Sequence, residues 1–416
     1  MNNGLLSVTE AKAMLLSQFS LVESSEVELP EARGRILARS VAAPFDFPYF
    51  ANSSMDGFAV ISSDTQIASQ DNPVELMVVG DIPAGTFPAN KLETGCCMRI
   101  MTGAPLPKGA DAVIPLEAID NSNTQPDSPL QKQIYVKTPA LPGEYSRAKG
   151  SDFHKGEIIL RQGNQLRPQE IGLLAMLGLS RVSVYRRPRI ALFSTGSELT
   201  PLGEILNPGK IFDANTYSLG ALIAQYGGDL FPLGIAKDTV IDVETRLDEA
   251  VELMADLIIT SAGVSVGAFD YVRDVVKKKG SLLFWRVNMR PGKPLAFGTY
   301  RGIPLVGLPG NPVSAFVGFE VFVRPALLKM SGASDIERTR YKVRLQEPIT
   351  SDGRESYLRG IVWVQDGLFM ARLANHQGSG NLFSLVQANA LLIVPSEVKS
   401  LPIGAEVDAW FFDQSF

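Results

Sequence analysis

The stretch DLIITSAGVSVGAFDYV (256–272) holds the reading that decides the fold class. Asp256 to Thr260 is an apolar run that reads as a buried strand, Ser261 to Gly267 is a loop of small residues, and a helical pattern runs from Tyr271 to Lys279. The same grammar recurs on both sides. Arg189 to Phe193 is followed by the loop Ser194-Thr195-Gly196-Ser197-Glu198, and Ile303 to Leu308 by Pro309 to Ser314. Further helices are predicted at Thr216 to Tyr226, Asp242 to Met254 and Val313 to Met330. Strands buried on both faces and alternating with helices imply a mainly parallel sheet in a three-layer α/β domain.

The flanks read differently. Residues 23 to 165 carry short β-branched runs broken by Gly and Pro: Val27 to Leu29, Phe58 to Ile61, Glu75 to Val79, Ala112 to Pro115 and Ile134 to Val136. This predicts a β-rich N-terminal region. Asp120 to Pro129 reads as a polar surface loop. Ser331-Gly332-Ala333-Ser334 marks a linker. Beyond it, Tyr341 to Leu345, Tyr357 to Val364, Leu368 to Leu373, Ala390 to Val394 and Glu406 to Phe411 predict a small C-terminal β-barrel. At 416 residues the chain exceeds the roughly 250–300 that one core supports, so three or four domains are expected.

Composition limits the chemistry. The net charge of −5 argues against a global field for nucleic acid or an anionic membrane, so any anionic substrate must be held by local charge. Ser7-Val8-Thr9-Glu10 reads as a helix-capping box rather than a signal peptide, and no run approaches the roughly 20 apolar residues of a membrane span. A soluble, cytoplasmic protein is expected. The only cysteines, Cys96 and Cys97, are adjacent, and the only histidines, His154 and His376, lie in polar stretches where exposure is expected. A zinc or copper site is thereby disfavoured, and a metal at work here should be a hard cation such as Mg²⁺.

Ligands of an open parallel sheet bind beyond the carboxyl ends of its strands. The small residues there let backbone N–H groups and helix N-termini approach an anion, although a tight turn would look the same. Arg290-Pro291-Gly292-Lys293-Pro294 sets two cations on a proline-stiffened turn, which also reads as a solvated basic turn. Asp56, Asp152, Glu198, Asp213, Asp238 and Asp270 stand at loop edges, where a carboxylate can hold a divalent cation or simply cap a helix or turn. Thr102 has the same two readings. No GxxxxGK[ST] loop, GxGxxG fingerprint or Ser-His-Asp set is present. The residues alone lead to a multidomain α/β enzyme or binding protein for a phosphorylated anion.

The motifs NSSMDGFAV (52–60), GDIPAG (80–85), RIMTGAPLPKGADAVIP (99–115), STGSEL (194–199), TSAGVSVGAFDYV (260–272), MRPGKPLAFG (289–298), GLPGNPVSA (307–315) and HQGSGNLFSLVQANAL (376–391) closely resemble the MoeA family, which includes the E domain of gephyrin. The resemblance implies a β-rich arm (about 46–146), a discontinuous linker domain (about 23–45 and 147–170), a molybdopterin-binding α/β domain (176–331) and a barrel (336–416), with 1–175 as the N-terminal and linker region. It implies a Mg²⁺-dependent molybdopterin molybdotransferase that inserts molybdate into adenylyl-molybdopterin and releases AMP. Its substrate would come from a MogA-like adenylyltransferase. A homodimer is implied, with a cleft shared between subunits. Asp56, Thr102, Asp152, Glu198, Asp238 and Asp270 match catalytic positions; Arg290, Lys293, Pro294, Arg359 and Ser379 the molybdate pocket; Gly263, Ser265, Gly310 and Asn311 the pterin-phosphate loops. Mg²⁺ would fall to Glu198, Asp213, Asp238 and Asp270. Ala262 replaces a usual glycine, and Arg290 stands where many members have lysine. A gephyrin-like scaffold, a tungsten-inserting paralogue and, at a lower rank, a molybdopterin adenylyltransferase are the competing readings.

Overall fold

Each apolar run of the central region becomes a strand whose alternate side chains point into two different cores. The computed structural model describes residues 5–119, 129–262 and 268–412, with side chains left aside at residue 262 and at 268–270. Residues 120–128 of the polar loop, together with Gly263 and Ser265, lie outside the described residues. The chain packs as two compact units, residues 40–161 and the remainder, 1–39 with 162–416.

The larger unit contains a six-stranded sheet. Its elements are β1 (Arg189–Thr195), α1 (Asn215–Gln225), β2 (Asp229–Ala236), α2 (Val240–Glu252), β3 (Leu257–Ala262), α3 (Ala268–Lys279), β4 (Gly280–Arg286), β5 (Pro294–Tyr300) and β6 (Ile303–Leu308). The order across the sheet is β2-β1-β3-β6-β5-β4. The first four strands are parallel, and β5 and β4 are antiparallel additions at one edge. Ile190 and Leu192 of β1, with Leu257 and Ile259 of β3, join a core that includes α1 and the N-terminal helix. Ala191, Phe193 and Ile258 join a second core against α2 and α3. Burial on both faces explains why these strands read as unbroken apolar runs.

The N-terminal helix Val8–Leu16 carries the expected capping box: the Ser7 hydroxyl accepts from the Glu10 N–H (3.2 Å), and the Glu10 carboxylate accepts from the Ser7 N–H (2.9 Å). The long helix expected over 313–330 is interrupted. Pro312–Gly318 (α4) and Arg324–Met330 (α5) flank a π-helical turn, Phe319–Val323, in which the Arg324 N–H donates to the Phe319 carbonyl. Pro325 lacks a backbone N–H, so the ladder is broken at that point.

The C-terminal strands close into a barrel. β7 (Tyr341–Leu345), β8 (Glu355–Gln365), β9 (Leu368–Leu373), β10 (Ala390–Val394) and β11 (Glu406–Phe411) pair in the cycle β8-β9-β7-β11-β10-β8, around a core that includes Leu345, Leu358 and Leu392. Closure leaves no open edge among these five strands.

The smaller unit, residues 40–161, is β-rich as expected. Five strands run in the order Ala112–Pro115, Gly57–Val60, Cys96–Ile100, Val74–Ile82, Gln133–Val136. Gly57 is required there: a Cβ on it would sit 2.0 Å from the Ile114 carbonyl oxygen of the neighbouring strand. Among the described residues no helix is long and apolar enough to cross a membrane.

Candidate active site

The Arg290–Pro294 turn is placed by two neighbours at once. Pro294 opens β5, while Met289–Arg290 forms a two-residue parallel pairing with Glu355–Ser356 at the start of β8. Barrel and α/β sheet are joined at this pairing, which brings Arg290 towards Arg359, three positions beyond its partner Ser356 on β8. A second tie fixes the 376–380 loop to the start of α4. Asn311 Nδ2 donates to Ser379 Oγ (2.9 Å), and the Val313 N–H donates to the Ser379 carbonyl (3.1 Å).

These ties enclose a cavity of about 550 Å³. The sequence-predicted Arg290, Lys293, Pro294, Gly310, Asn311, Arg359 and Ser379 all line it. Three further cations, Arg273, Arg286 and Arg354, complete a set of six, and among the described residues no carboxylate side chain lines the cavity. Like charges gathered around a cavity with no carboxylate in its lining repel one another, and an anion relieves that repulsion.

Arg359 is the most unusual member, since it is fully buried in a barrel strand. Its Nε donates to Ser384 Oγ (3.0 Å), and Nη2 donates to the carbonyls of Gly378 (3.0 Å) and His376 (3.3 Å). Nη1 is buried and has no hydrogen-bond partner among the described residues. Burial, and after it the charge of Arg290, push the guanidinium down from 12.5 to about 10. A buried cation with an unused donor is costly unless something negative meets it.

The carboxylates lie at the carboxyl ends of the strands. Asp238, just beyond β2, accepts from both the N–H (2.8 Å) and the hydroxyl (2.7 Å) of Ser197, which ties the loop after β1 to the loop after β2. Lys210 Nζ donates to the Ser197 carbonyl from a third segment. All of these bonds to Asp238 use Oδ2; its Oδ1 is buried and unpartnered. Glu198 is half-buried on the same β1 loop. Asp270 falls in the first turn of α3, which follows β3, and its side chain is outside the described residues. Asp213 is nearly fully buried, and its two oxygens are taken by the N–H (3.1 Å) and hydroxyl (2.6 Å) of Thr216, so it closes the start of α1 instead of facing an open position. Among the described residues, no three His, Cys, Asp or Glu side chains form a ready metal shell.

In the smaller unit, Asp56 and Thr102 meet directly: one Asp56 oxygen accepts from the Thr102 N–H (2.7 Å) and hydroxyl (2.8 Å). Asp152 is exposed in the same unit, with the Ser151 hydroxyl 3.2 Å away. His154 and His376 are exposed, as expected, and Cys96 and Cys97 are free thiols.

Three family descriptions match successive parts of the chain: the MoeA N-terminal region (domains I and II) over residues 6–178, a probable molybdopterin-binding domain over 191–329, and the MoeA C-terminal region (domain IV) over 342–412. The chain belongs to the MoeA family. Among its relatives, a molybdopterin molybdenumtransferase of a Nostoc species is 39% identical over 92% of this chain and 87% of its own length. Molybdopterin molybdenumtransferase 2 of Mycobacterium tuberculosis is 37% identical over 97% of this chain and 99% of its own. The crystal structure of the molybdopterin biosynthesis protein moeA from Pyrococcus horikoshii superposes with a TM-score of 0.82 at 31% identity, covering 98% of this chain and 100% of that one.

Sequence reasoning did not single out three cations that line this MoeA-family cavity, nor Asn215, which bonds to the cavity-lining Gly310. Arg286 sits four residues before Arg290 in RVNMR, and that spacing of cations around the turn was an available signal. Arg273 and Arg354 carry none, because helix α3 and the 351–354 turn reach the cavity only through the fold. Asn215, nearly buried, donates from Nδ2 to Ser261 Oγ (2.6 Å) and to the Gly310 carbonyl (2.7 Å), pinning the end of β3 to the loop after β6.

Proposed function

We propose that the protein inserts molybdenum, delivered as molybdate, into adenylated molybdopterin in the cytoplasm, in a Mg²⁺-dependent reaction that releases AMP. The relatives named molybdopterin molybdenumtransferase support the transfer. The observation that carries the substrate reading is the cavity of six cations without a carboxylate, in which the buried Arg359 keeps one donor unused.

The chemistry follows from charge. Molybdate is a dianion and adenylated molybdopterin carries a phosphoanhydride, so the two repel. Arg290, Lys293 and Arg359 offset that repulsion, and Ser379 and Asn311 offer neutral polar groups beside them. Glu198 and Asp238 stand beyond adjacent strands β1 and β2, and Asp270 on the helix that follows β3. An oxygen-only set with an unpartnered Asp238 Oδ1 suits a hard cation, so these three would hold Mg²⁺. When bound there, Mg²⁺ supplies polarisation of the phosphoanhydride. The protein's own groups bind and orient: Ser197 keeps Asp238 in place, and Asn215 holds the β3 and β6 loops together. Because the pterin supplies the sulfur ligands, no protein cysteine is required.

A homodimer belongs to the same reading, with Asp56 and Thr102 of one subunit serving the site of the other. So does delivery of the substrate by a MogA-like adenylyltransferase. The test is cofactor formation from purified adenylated molybdopterin, molybdate and Mg²⁺. Lys293→Ala and Asp270→Asn should each abolish insertion in a folded protein. Full activity in both variants rejects the site.

A further inference from the structure

The cavity has an acidic residue at its edge that neither the motifs nor the proposed chemistry uses. Asp352 lies on the turn between the Ile349–Thr350 strand and β8. One of its oxygens accepts from Nε of Arg354 (3.0 Å) and from the Nη2 of the same side chain, in a two-point clasp, and stands 3.9 Å from Nη1 of Arg290. Both arginines line the cavity, whereas Asp352 does not.

The turn that carries Asp352 is fixed. The Ser351 N–H donates to the Lys399 carbonyl (2.8 Å), the Glu397 N–H donates to the Gly353 carbonyl (2.7 Å), and the Ser351 and Ser356 hydroxyls lie 3.0 Å apart. Gly353 adopts φ +88°, in the left-handed region that favours glycine. Arg354 is anchored at its other end, where Nη1 donates to the Met289 carbonyl (3.1 Å). The carboxyl of Asp352 is held below its ordinary value, first by the hydrogen bond from Arg354 and lastly by the charge of Arg290, so it is ionised at neutral pH.

Its two contacts are unequal. Arg354 is committed to the clasp, and a charge-assisted pair of that kind is strong and directional. Arg290 is only within Coulombic reach, because 3.9 Å is beyond hydrogen-bond distance. Asp352 is thus poorly placed to orient Arg290, yet it adds a negative charge beside the cations that face the cavity. A dianion entering there meets cations already partly neutralised from behind.

We infer that Asp352 is an affinity-setting countercharge: it holds the cavity's grip on tetrahedral dianions below what its six cations would otherwise give, so that the bound oxyanion can leave the cation cluster. The inference rests on the reading of this cavity as the molybdate site. A site of fixed cations alone would hold molybdate in a low-energy ground state, and tight ground-state binding does not speed its onward transfer.

The test is molybdate binding to the full-length protein by equilibrium dialysis, at low and high ionic strength. Asp352→Asn, which keeps the shape of the side chain, should bind molybdate about three- to tenfold more tightly at low salt, and the gain should shrink as ions screen the rim. Asp352→Glu, which keeps the charge, should bind like the unmodified protein. In the insertion assay, Asp352→Asn should lower KM for molybdate without raising kcat, a split that simple loosening of the turn does not produce. Lys293→Ala separates the two ideas. If it binds molybdate normally, the site reading fails and the inference with it. If Lys293→Ala binds weakly but Asp352→Asn shows no gain or a loss, the inference alone is overturned.

Discussion

Replacing Arg359 by methionine should weaken molybdate binding by at least about tenfold while changing stability little, a combination that follows from the surroundings of the guanidinium. The fall from 12.5 to about 10 means that holding this group charged at neutral pH costs about 3 kcal/mol. The sign is that of a destabilised cation: the penalty is present below pH of about 10 and is relieved as pH rises from there towards 12.5. Methionine removes the penalty. It also removes three hydrogen bonds, to Ser384 Oγ and to the His376 and Gly378 carbonyls, each worth about 1 kcal/mol. Both carbonyls keep a second donor, from the side chain and the N–H of Asn381 respectively, so neither is stranded. The opposing contributions leave the variant within about 2 kcal/mol of the parent. Binding has no such offset. The lost charge and Nη1 donor are worth about 1.5–3 kcal/mol to a bound oxyanion, or about 10- to 150-fold in affinity. Urea unfolding and equilibrium dialysis with molybdate read the two quantities. Affinity within threefold of the parent, or a stability loss above about 5 kcal/mol, would show that Arg359 serves the barrel instead of the ligand.

Three further outcomes are expected. Asn215→Ala should destabilise the larger unit by about 1–3 kcal/mol in urea, because it leaves the nearly buried Ser261–Gly310 bridge unmade; no change would show that the loops are held elsewhere. Thr102→Val keeps the backbone donor to Asp56 but removes the hydroxyl, so stability should change by less than about 1 kcal/mol while insertion falls at least about tenfold; normal insertion would make the pair a plain turn contact. The Asp81 carboxyl is held below its ordinary value chiefly by the hydrogen bond from Arg99. Its contribution to the arm is fully present above the unfolded-state value and is lost as pH falls through the lower folded one. Acid unfolding of Asp81→Asn should therefore be less steep than that of the parent, and identical profiles would contradict the pairing.

The parts of this protein that were legible beforehand are those where one local pattern carries the whole meaning. Strands β1, β3 and β6 are buried on both faces, so their apolar runs stand out, and the Ser7–Glu10 box marks its helix by itself. Strand β4 was missed for the opposite reason. It is an edge strand of the sheet, it comes directly after three lysines, and of Gly280–Arg286 only Phe284 is buried, which conceals a strand. The break at Phe319–Val323 was hidden because, apart from Glu320, its side chains are apolar and read as a continuation of the helix. At the site, the Arg290–Lys293 turn announced itself through its prolines, and the resemblance to the MoeA family supplied Arg359 and Ser379. Arg273, Arg354 and Asp352 acquire their meaning only when α3 and the 351–354 turn come together around one cavity, and no short-range signal encodes that.

The most direct test of the central claim is a crystal of this protein soaked in molybdate, or in the heavier tungstate, with the anion located by anomalous scattering. The predicted result is one strong peak inside the cavity, within hydrogen-bond reach of Arg359 Nη1 and close to Lys293 and Ser379. A cavity without a peak, with the anion bound at another place on the chain, would contradict the assignment of these cations to the oxyanion.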